Sequence, residues 1–204
     1  MAASLTTSNT MLGTLAPVGA TAKLATSVVT VLVGTLLLTL SAKLSVPVWP
    51  VPVTLTSLAV AAMAAAFGWR VGVATVAAYL LEGALGLPVF ASGGGLAYFA
   101  GPTTGFLLGY LPMAYIIGRA ADLGASNRPL RLFWAMLLGD AALFVLGFVW
   151  LLAMAGHAGF VDQTNVVGSA FAAAVQPFIV WDMLKMALAA VSITGAWTLL
   201  HRAR

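Results

Sequence analysis

Two charged residues of opposite sign lie three positions apart in an apolar segment near the C-terminus. They are Asp182 and Lys185, within the run WDMLK. In a helix this spacing places both side chains on one face. A charge at the centre of a membrane helix costs about 2.5–3.5 kcal/mol on insertion scales, so such residues usually face protein or a wet cavity and are functional. A carboxylate beside an ammonium could bind a small polar head group carried on an apolar body. The alternative is a structural ion pair, which is compatible with ligand binding.

A glycine-rich segment, residues 87–105, carries the second group of candidate side chains. Its three consecutive glycines permit backbone conformations that are closed to other residues. The aromatic residues Phe90, Tyr98 and Phe99 surround these glycines. The segment could therefore close over a ligand as a lid, or its aromatic rings could anchor the loop at the membrane interface. The glycines do not form a phosphate-binding loop, because the chain contains no GxxxxGK[ST] motif.

Weaker candidates are scattered through the apolar segments. Tyr79 could share a helix face with Glu82, which either lines a pocket or reaches the interface. Asp140 could be a second polar site or a capped structural acid. We expect His157 and His201 to be solvated, since a lone histidine seldom indicates a metal site or catalysis.

The amino-acid composition indicates whether the helices that position these side chains lie in water or in a membrane. Hydrophobic residues make up 62% of the 204 residues and charged residues only 7%, whereas soluble domains carry about 25% charged residues. A chain this apolar belongs in a bilayer. The absence of cysteine excludes disulfides and thiolate metal sites. The net charge of +4 is typical of membrane topology signals and does not indicate nucleic-acid binding.

Length and hydrophobic runs predict an all-α integral membrane protein of about six transmembrane helices, forming a single domain over residues 1–204. Each span needs roughly 20 residues. Residues 1–22 are predicted to form a cytoplasmic tail. The predicted spans cover residues 24–44, 54–69, 71–85, 104–121 and 132–155, and a last segment that runs to residue 200. Within this last segment, Gln176-Pro177 is predicted to be a start or a kink.

Basic residues predict the orientation, because they concentrate in cytoplasmic loops. Only Lys43 falls on the predicted outer side. The predicted inner side holds Lys23, Arg70, Arg119, Arg128, Arg131, Arg202 and Arg204. Both termini are therefore predicted to lie in the cytoplasm, with the loops 46–53, 87–102 and 156–165 facing outward.

Four motifs resemble the BioY family, the biotin-specific S component of energy-coupling factor (ECF) transporters. They are PVPVTLTSLAV up to residue 60, YLLEGALGLPVF at 79–90, GGGLAYFAGPTTGFLLGY at 93–110, and WDMLK at 181–185. The resemblance covers roughly residues 30–195. It implies a six-helix fold in the cytoplasmic membrane and capture of biotin from outside. It also implies a separate module of a transmembrane coupling subunit and ATPases, which fits the missing Walker A motif.

The resemblance also implies site residues. The acid and the base of the D-x-x-K element contact biotin in this family, which transfers to Asp182 and Lys185. A carboxylate and an ammonium match the N–H donors and the carbonyl of the ureido ring, but which end of biotin meets Lys185 stays open. Aromatic walls suit the thioether ring, and the valerate carboxylate needs a hydroxyl or amide donor. The remaining expected ligand-binding residues are Tyr79, Phe90, Tyr98 and Thr103.

The same resemblance implies no cofactor and no metal, with ATP used only by the partner ATPases, and it implies that the chain is not an enzyme. The chain departs from the family at Thr56, where many relatives have glutamine.

Two other functional classes could use the same acidic residues. A proton-coupled secondary transporter could use Asp182 or Asp140, although the chain shows no internal repeat of the kind such transporters often have. An intramembrane aspartyl protease would need Asp140 and Asp182 as a dyad that shares one proton. The residues before Asp140 read LLG, so the expected GxGD signature is absent.

Overall fold

Seven α-helices make up most of the computed structural model, which describes residues 10–11, 20–156 and 162–202. Within these ranges the helices are α1 (Ala20–Lys43), α2 (Thr56–Phe67), α3 (Trp69–Ala84), α4 (Thr104–Asp122), α5 (Pro129–Met154), α6 (Val166–Ala174) and α7 (Ile179–Arg202). Short 3-10 helices cover Leu96–Ala100 and Ala125–Asn127. Most of the predicted tail at 1–22 and His157 lie outside the described residues, as does the side chain of His201.

The prediction of an all-α fold with about six helices is confirmed, with α6 and α7 forming the last predicted segment. Residues 175–178 form a turn between these two helices. The predicted interruption at Gln176-Pro177 is therefore confirmed, and its cause is the missing N–H and fixed φ of proline. Among the described residues, three segments could cross a membrane by length and composition: Thr21–Lys43, Pro129–Met154 and Val166–Leu200.

A small β-hairpin follows α1, where the sequence predicts only a loop at residues 46–53. Strand β1 (Ser45–Val46) pairs antiparallel with β2 (Val53–Thr54), with Ser45 opposite Thr54 and Val46 opposite Val53. The prolines between the strands exclude helix there. The hairpin returns the chain to the bundle, so that α2 begins directly beneath it.

Helix α2 forms the centre of the bundle. Its 12 residues span only about 18 Å at 1.5 Å per residue, less than the roughly 30 Å hydrocarbon core of a bilayer. It packs against α1, α3, α4 and α7, and most of its side chains are buried. Its neighbours therefore shield it from lipid.

Small residues allow the closest helix contacts. Helices α4 and α5 pack most extensively. A methyl group at Gly109 would meet Leu143, and one at Gly105 would meet the backbone at Leu146 and Gly147. Ala61 and Ala65 of α2 are fully buried and contribute to this internal packing.

The loops gather at the two ends of the bundle. At one end, Lys43 Nζ donates to the carbonyl of Phe90 at 2.6 Å, and Trp150 Nε1 donates to the carbonyl of Gly101 at 2.9 Å. At the other end, Ser126 Oγ donates to the carbonyl of Ala65 at 2.8 Å. The basic residues predicted to lie inside, Lys23, Arg70, Arg119, Arg128 and Arg131, are all on elements at this second end. The orientation of the bundle in the membrane stays a prediction.

Candidate ligand-binding site

The predicted pair of charges on α7 is the centre of a buried polar cluster. Lys185 Nζ lies 3.1 Å from Asp182 Oδ1. The same carboxylate oxygen accepts from Ser57 Oγ at 2.6 Å. Lys185 Nζ also donates to the carbonyl of Thr54 at 2.7 Å and to Ser57 Oγ at 3.3 Å. All three protons of the Lys185 ammonium group thus have acceptors. Asp182 is only 3% exposed, so this ion pair is shielded from solvent.

The start of α2 explains why a carboxylate is stable here. Ser57 is in the first turn of α2, so Asp182 lies beside the positive end of that helix dipole. Within the described part of the chain, Asp182 Oδ2 makes no hydrogen bond. The pair therefore keeps one free acceptor.

A small cavity of about 40 Å³ lies beside this pair. Three phenylalanines form its apolar wall, with ring centroids 6.0 to 6.3 Å apart: Phe106, Phe144 and Phe178. The rest of its lining is Val51, Pro52, Thr54, Ser57, Tyr110, Leu143, Asp182 and Lys185. A carboxylate and an ammonium at one side of an aromatic cavity can bind a flat polar group attached to an apolar body.

A second cavity of about 40 Å³ adjoins the first. The two share five lining residues, which are Val51, Pro52, Thr54, Phe106 and Tyr110. Four of the predicted site residues line the second cavity: Tyr79, Phe90, Tyr98 and Thr103. The structure therefore brings all six predicted side chains around two adjoining spaces. Their role in binding stays a prediction.

Phe90 is the centre of an aromatic cluster that holds the glycine-rich segment against α3. Its ring contacts those of Tyr79, Tyr98 and Phe99 at centroid distances of 5.3, 4.9 and 5.6 Å. The Tyr79 hydroxyl donates to the carbonyl of Val89 at 3.2 Å. The ring of Phe90 lies so close to Gly83 that a β-carbon there would overlap it. These contacts fix the segment against α3.

An open groove of about 390 Å³ leads to the second cavity. It runs between the hairpin loop and the glycine-rich segment, and it shares Pro52, Tyr98 and Thr103 with that cavity. Ligand pockets usually measure about 300–1,000 Å³, so neither of the two small cavities, at about 40 Å³ each, can hold a bicyclic ligand as it stands. We expect the hairpin loop or the glycine-rich segment, which line the groove, to move outward when a ligand enters.

Several lining residues were not found by sequence reasoning. Thr54, Ser57 and Tyr110 supply polar groups, and their only signal is a polar side chain within an apolar run. The three phenylalanines of the first cavity carry no signal, because phenylalanine is common in every membrane helix.

Asp140 and Glu82 do not line these cavities. Asp140 is 5% exposed and its Oδ1 has no hydrogen-bond partner. It interacts electrostatically with Asp182, but the latter is held by Ser57 and Lys185, which disfavours a proton-sharing protease dyad. Over the described ranges, no group of three or more histidine or acidic side chains could hold a metal ion.

An apolar helical bundle with a buried ion pair, aromatic cavities and an entry groove at one end is the architecture of a membrane protein that binds a small solute. The chain belongs to the BioY family, whose sequence model matches residues 9–202.

Two relatives agree with this assignment, and one solved structure has the same fold. The biotin transporter BioY of Thermotoga maritima is 34% identical over 158 residues, which is 77% of this chain and 87% of that protein. The biotin transporter BioY of Rhodobacter capsulatus is 37% identical over 67% of this chain and 73% of its own length. The fold matches a crystal structure of the S-component for biotin from an ECF-type ABC transporter. The TM-score is 0.73 at 22% identity, over 85% of this chain and 92% of that one.

Proposed function

We propose that this protein captures biotin and takes part in its uptake as the S component of an ECF-type transporter. Family membership and relatives named biotin transporters support the substrate. The observation that carries the proposal is the pair Asp182 and Lys185, which opens onto an aromatic cavity at the end of an entry groove. Family membership favours this function over proton-coupled transport.

The ureido ring of biotin fits the polar side of the first cavity. Its N–H groups can donate to the free Oδ2 of Asp182. Its carbonyl can accept from Lys185, in place of the long 3.3 Å contact to Ser57. The opposite arrangement would bring the valerate carboxylate next to Asp182, and like charges at short distance repel. We therefore place the ureido ring at Asp182 and Lys185.

The remaining parts of biotin follow from this placement. The fused rings lie against Phe106, Phe144 and Phe178. The valerate chain extends into the second cavity, towards Tyr98 and the hydroxyl of Thr103. This direction points the carboxylate at the entry groove.

The division of labour with other subunits is also part of the proposal. The chain binds and does not catalyse, and it uses no cofactor or metal. A transmembrane coupling subunit and ATPases supply the energy of transport. The protein crosses the cytoplasmic membrane several times, with the hairpin and the glycine-rich segment facing outward.

The experiment that tests this placement compares analogues of biotin on the purified, detergent-solubilised protein by calorimetry. We expect saturable binding of biotin, and an amide of its valerate carboxylate should bind with a modest loss. An analogue whose ureido nitrogens are methylated should bind at least about tenfold more weakly, which corresponds to about 1.4 kcal/mol. The reverse order would place the carboxylate at the buried pair. No binding of biotin to folded protein would contradict the proposed substrate.

A further inference from the structure

A second, wider groove lies on the outside of the bundle, between the hairpin and the start of α7. Its volume is about 700 Å³, larger than the three spaces described above. Its lining residues are Lys43, Leu44, Ser45, Val46, Val48, Val53, Thr54, Leu55, Pro177, Trp181 and Lys185. Thr54 and Lys185, which are joined by a 2.7 Å hydrogen bond, line both this groove and the first cavity.

The groove carries positive charge, and the charge of Lys43 has no counter-ion among the described residues. The lining contains two lysines and no acidic residue. Lys185 has all three of its protons engaged, one of them by Asp182. Lys43 donates once, to the carbonyl of Phe90, and forms no ion pair with any described residue. Two of its N–H donors therefore remain for an anion.

Apolar surface continues from the groove along two helices. Leu44 lines the groove, and Leu40 and Leu36 follow below it on the same face of α1. On α7, Leu184 and Leu188 continue the face of Trp181. All six side chains are between 58% and 65% exposed. Both helices pack against α2, so these stripes flank a common element.

We infer that this groove binds the headgroup of an anionic phospholipid, with the phosphate on Lys43 and the acyl chains along the stripes of α1 and α7. A cation at the end of a membrane helix lies at headgroup level. The indole of Trp181 suits the same level, where tryptophan is enriched. Charge complementarity selects the anionic lipid over a zwitterionic one, because the groove offers a cation and no carboxylate.

The test is native mass spectrometry of the full chain from nanodiscs of mixed phosphatidylglycerol and phosphatidylcholine. We expect the wild type to retain phosphatidylglycerol and to release phosphatidylcholine. Lys43→Gln should retain several-fold less phosphatidylglycerol. Lys23→Gln is the matched control, since it removes the same charge from the opposite end of α1, and it should retain the wild-type amount.

A second variant tests the inference independently, in case Lys43→Gln does not fold. Ser45→Glu adds a carboxylate to the lining at an exposed hairpin position and leaves the bond between Lys43 and Phe90 in place. It should also lose phosphatidylglycerol. Equal retention of both lipids by the wild type, or equal losses in the two lysine variants, would overturn the inference. Dimers in place of lipid adducts would overturn it too, and would assign the groove to a second copy. No biotin is present, so the result is independent of the proposed transport function.

Discussion

Asp140 and Asp182 are both buried in apolar helices that pack against each other, but their surroundings differ. Asp182 has Ser57, Lys185 and the start of α2 to stabilise its charge. Asp140 Oδ1 has no partner. A buried polar group without a hydrogen bond is costly, and a charge without a partner costs more. The charge of Asp182 is thus stabilised by its neighbours, whereas the buried carboxyl group of Asp140 is expected to destabilise the fold.

Replacing Asp140 by its neutral isostere should therefore stabilise the protein. Asp140→Asn should raise the free energy of unfolding by about 1 kcal/mol or more, because an amide is cheaper to bury than a carboxylate. Asp182→Asn should lower it, because Lys185 would then be a buried charge without its counter-ion. Thermal unfolding in detergent measures both. A loss of stability in Asp140→Asn would show that its carboxylate has a stabilising partner.

Sequence reasoning identified Asp182 and Lys185 because charges are rare in an apolar run and their spacing defines a face. It could not identify Ser57 or Thr54 as their partners. These contacts join residues more than 120 positions apart, and no local pattern encodes which helix faces which. Position 57 is a serine among many small residues of α2, so its polarity alone was not informative.

At the scale of elements, the site depends on two irregular segments, the hairpin loop and the glycine-rich segment, which lie over cavities lined by helices. The glycine-rich segment follows an irregular path, and its 3-10 helix begins after Gly95, whose φ of +96° is unfavourable for other residues. The segment is held where the ring of Phe90 rests on Gly83 of α3. Gly83 therefore contributes, together with the hydrogen bonds of Tyr79 and Lys43, to how the segment packs over the second cavity.

Gly83→Ala should displace Phe90 and loosen this cover. The added methyl group would overlap the ring, so we expect faster dissociation of biotin together with lower thermal stability. Gly195→Ala is the control, because a β-carbon at that position in α7 meets nothing, and alanine favours helix by about 1 kcal/mol. Stopped-flow tryptophan fluorescence measures the dissociation rate. Equal rates in the two variants would show that Phe90 does not hold the segment over the cavity.

The sequence predicted some elements well and others poorly. The break before α7 and the short second span follow from proline and from the length of the apolar run. The strands of the hairpin escaped prediction, because only two residues on each side pair. The close packing of Gly105 and Gly109 on α5 also escaped, because it depends on the facing helix and not on α4 alone.

At the scale of the whole molecule, the two ends of the bundle differ in charge. The end without the hairpin carries the arginines of α3, α4 and α5, while the hairpin end carries Lys43. Membrane proteins keep such basic residues in the cytoplasm. The entry groove should then open to the outside, the side from which the proposed capture of biotin would take place.

Single-cysteine variants can test this orientation, since the chain has no cysteine of its own. Ala97→Cys lies in the entry groove, and Asn127→Cys lies in the short 3-10 helix at the opposite end. A membrane-impermeant maleimide should label the first in intact spheroplasts and the second only after permeabilisation. The opposite labelling pattern would show that the bundle has the reverse orientation in the membrane.

The central claim is that Asp182 and Lys185 form the biotin site, and calorimetric titration of matched variants tests it most directly. Asp162→Asn is the control, since it removes the charge of an acid in an exposed loop. We predict wild-type affinity for Asp162→Asn, and at least about a tenfold loss, or about 1.4 kcal/mol, for Asp182→Asn and for Lys185→Gln. Unchanged affinity in both pair variants, with folding confirmed, would contradict the claim.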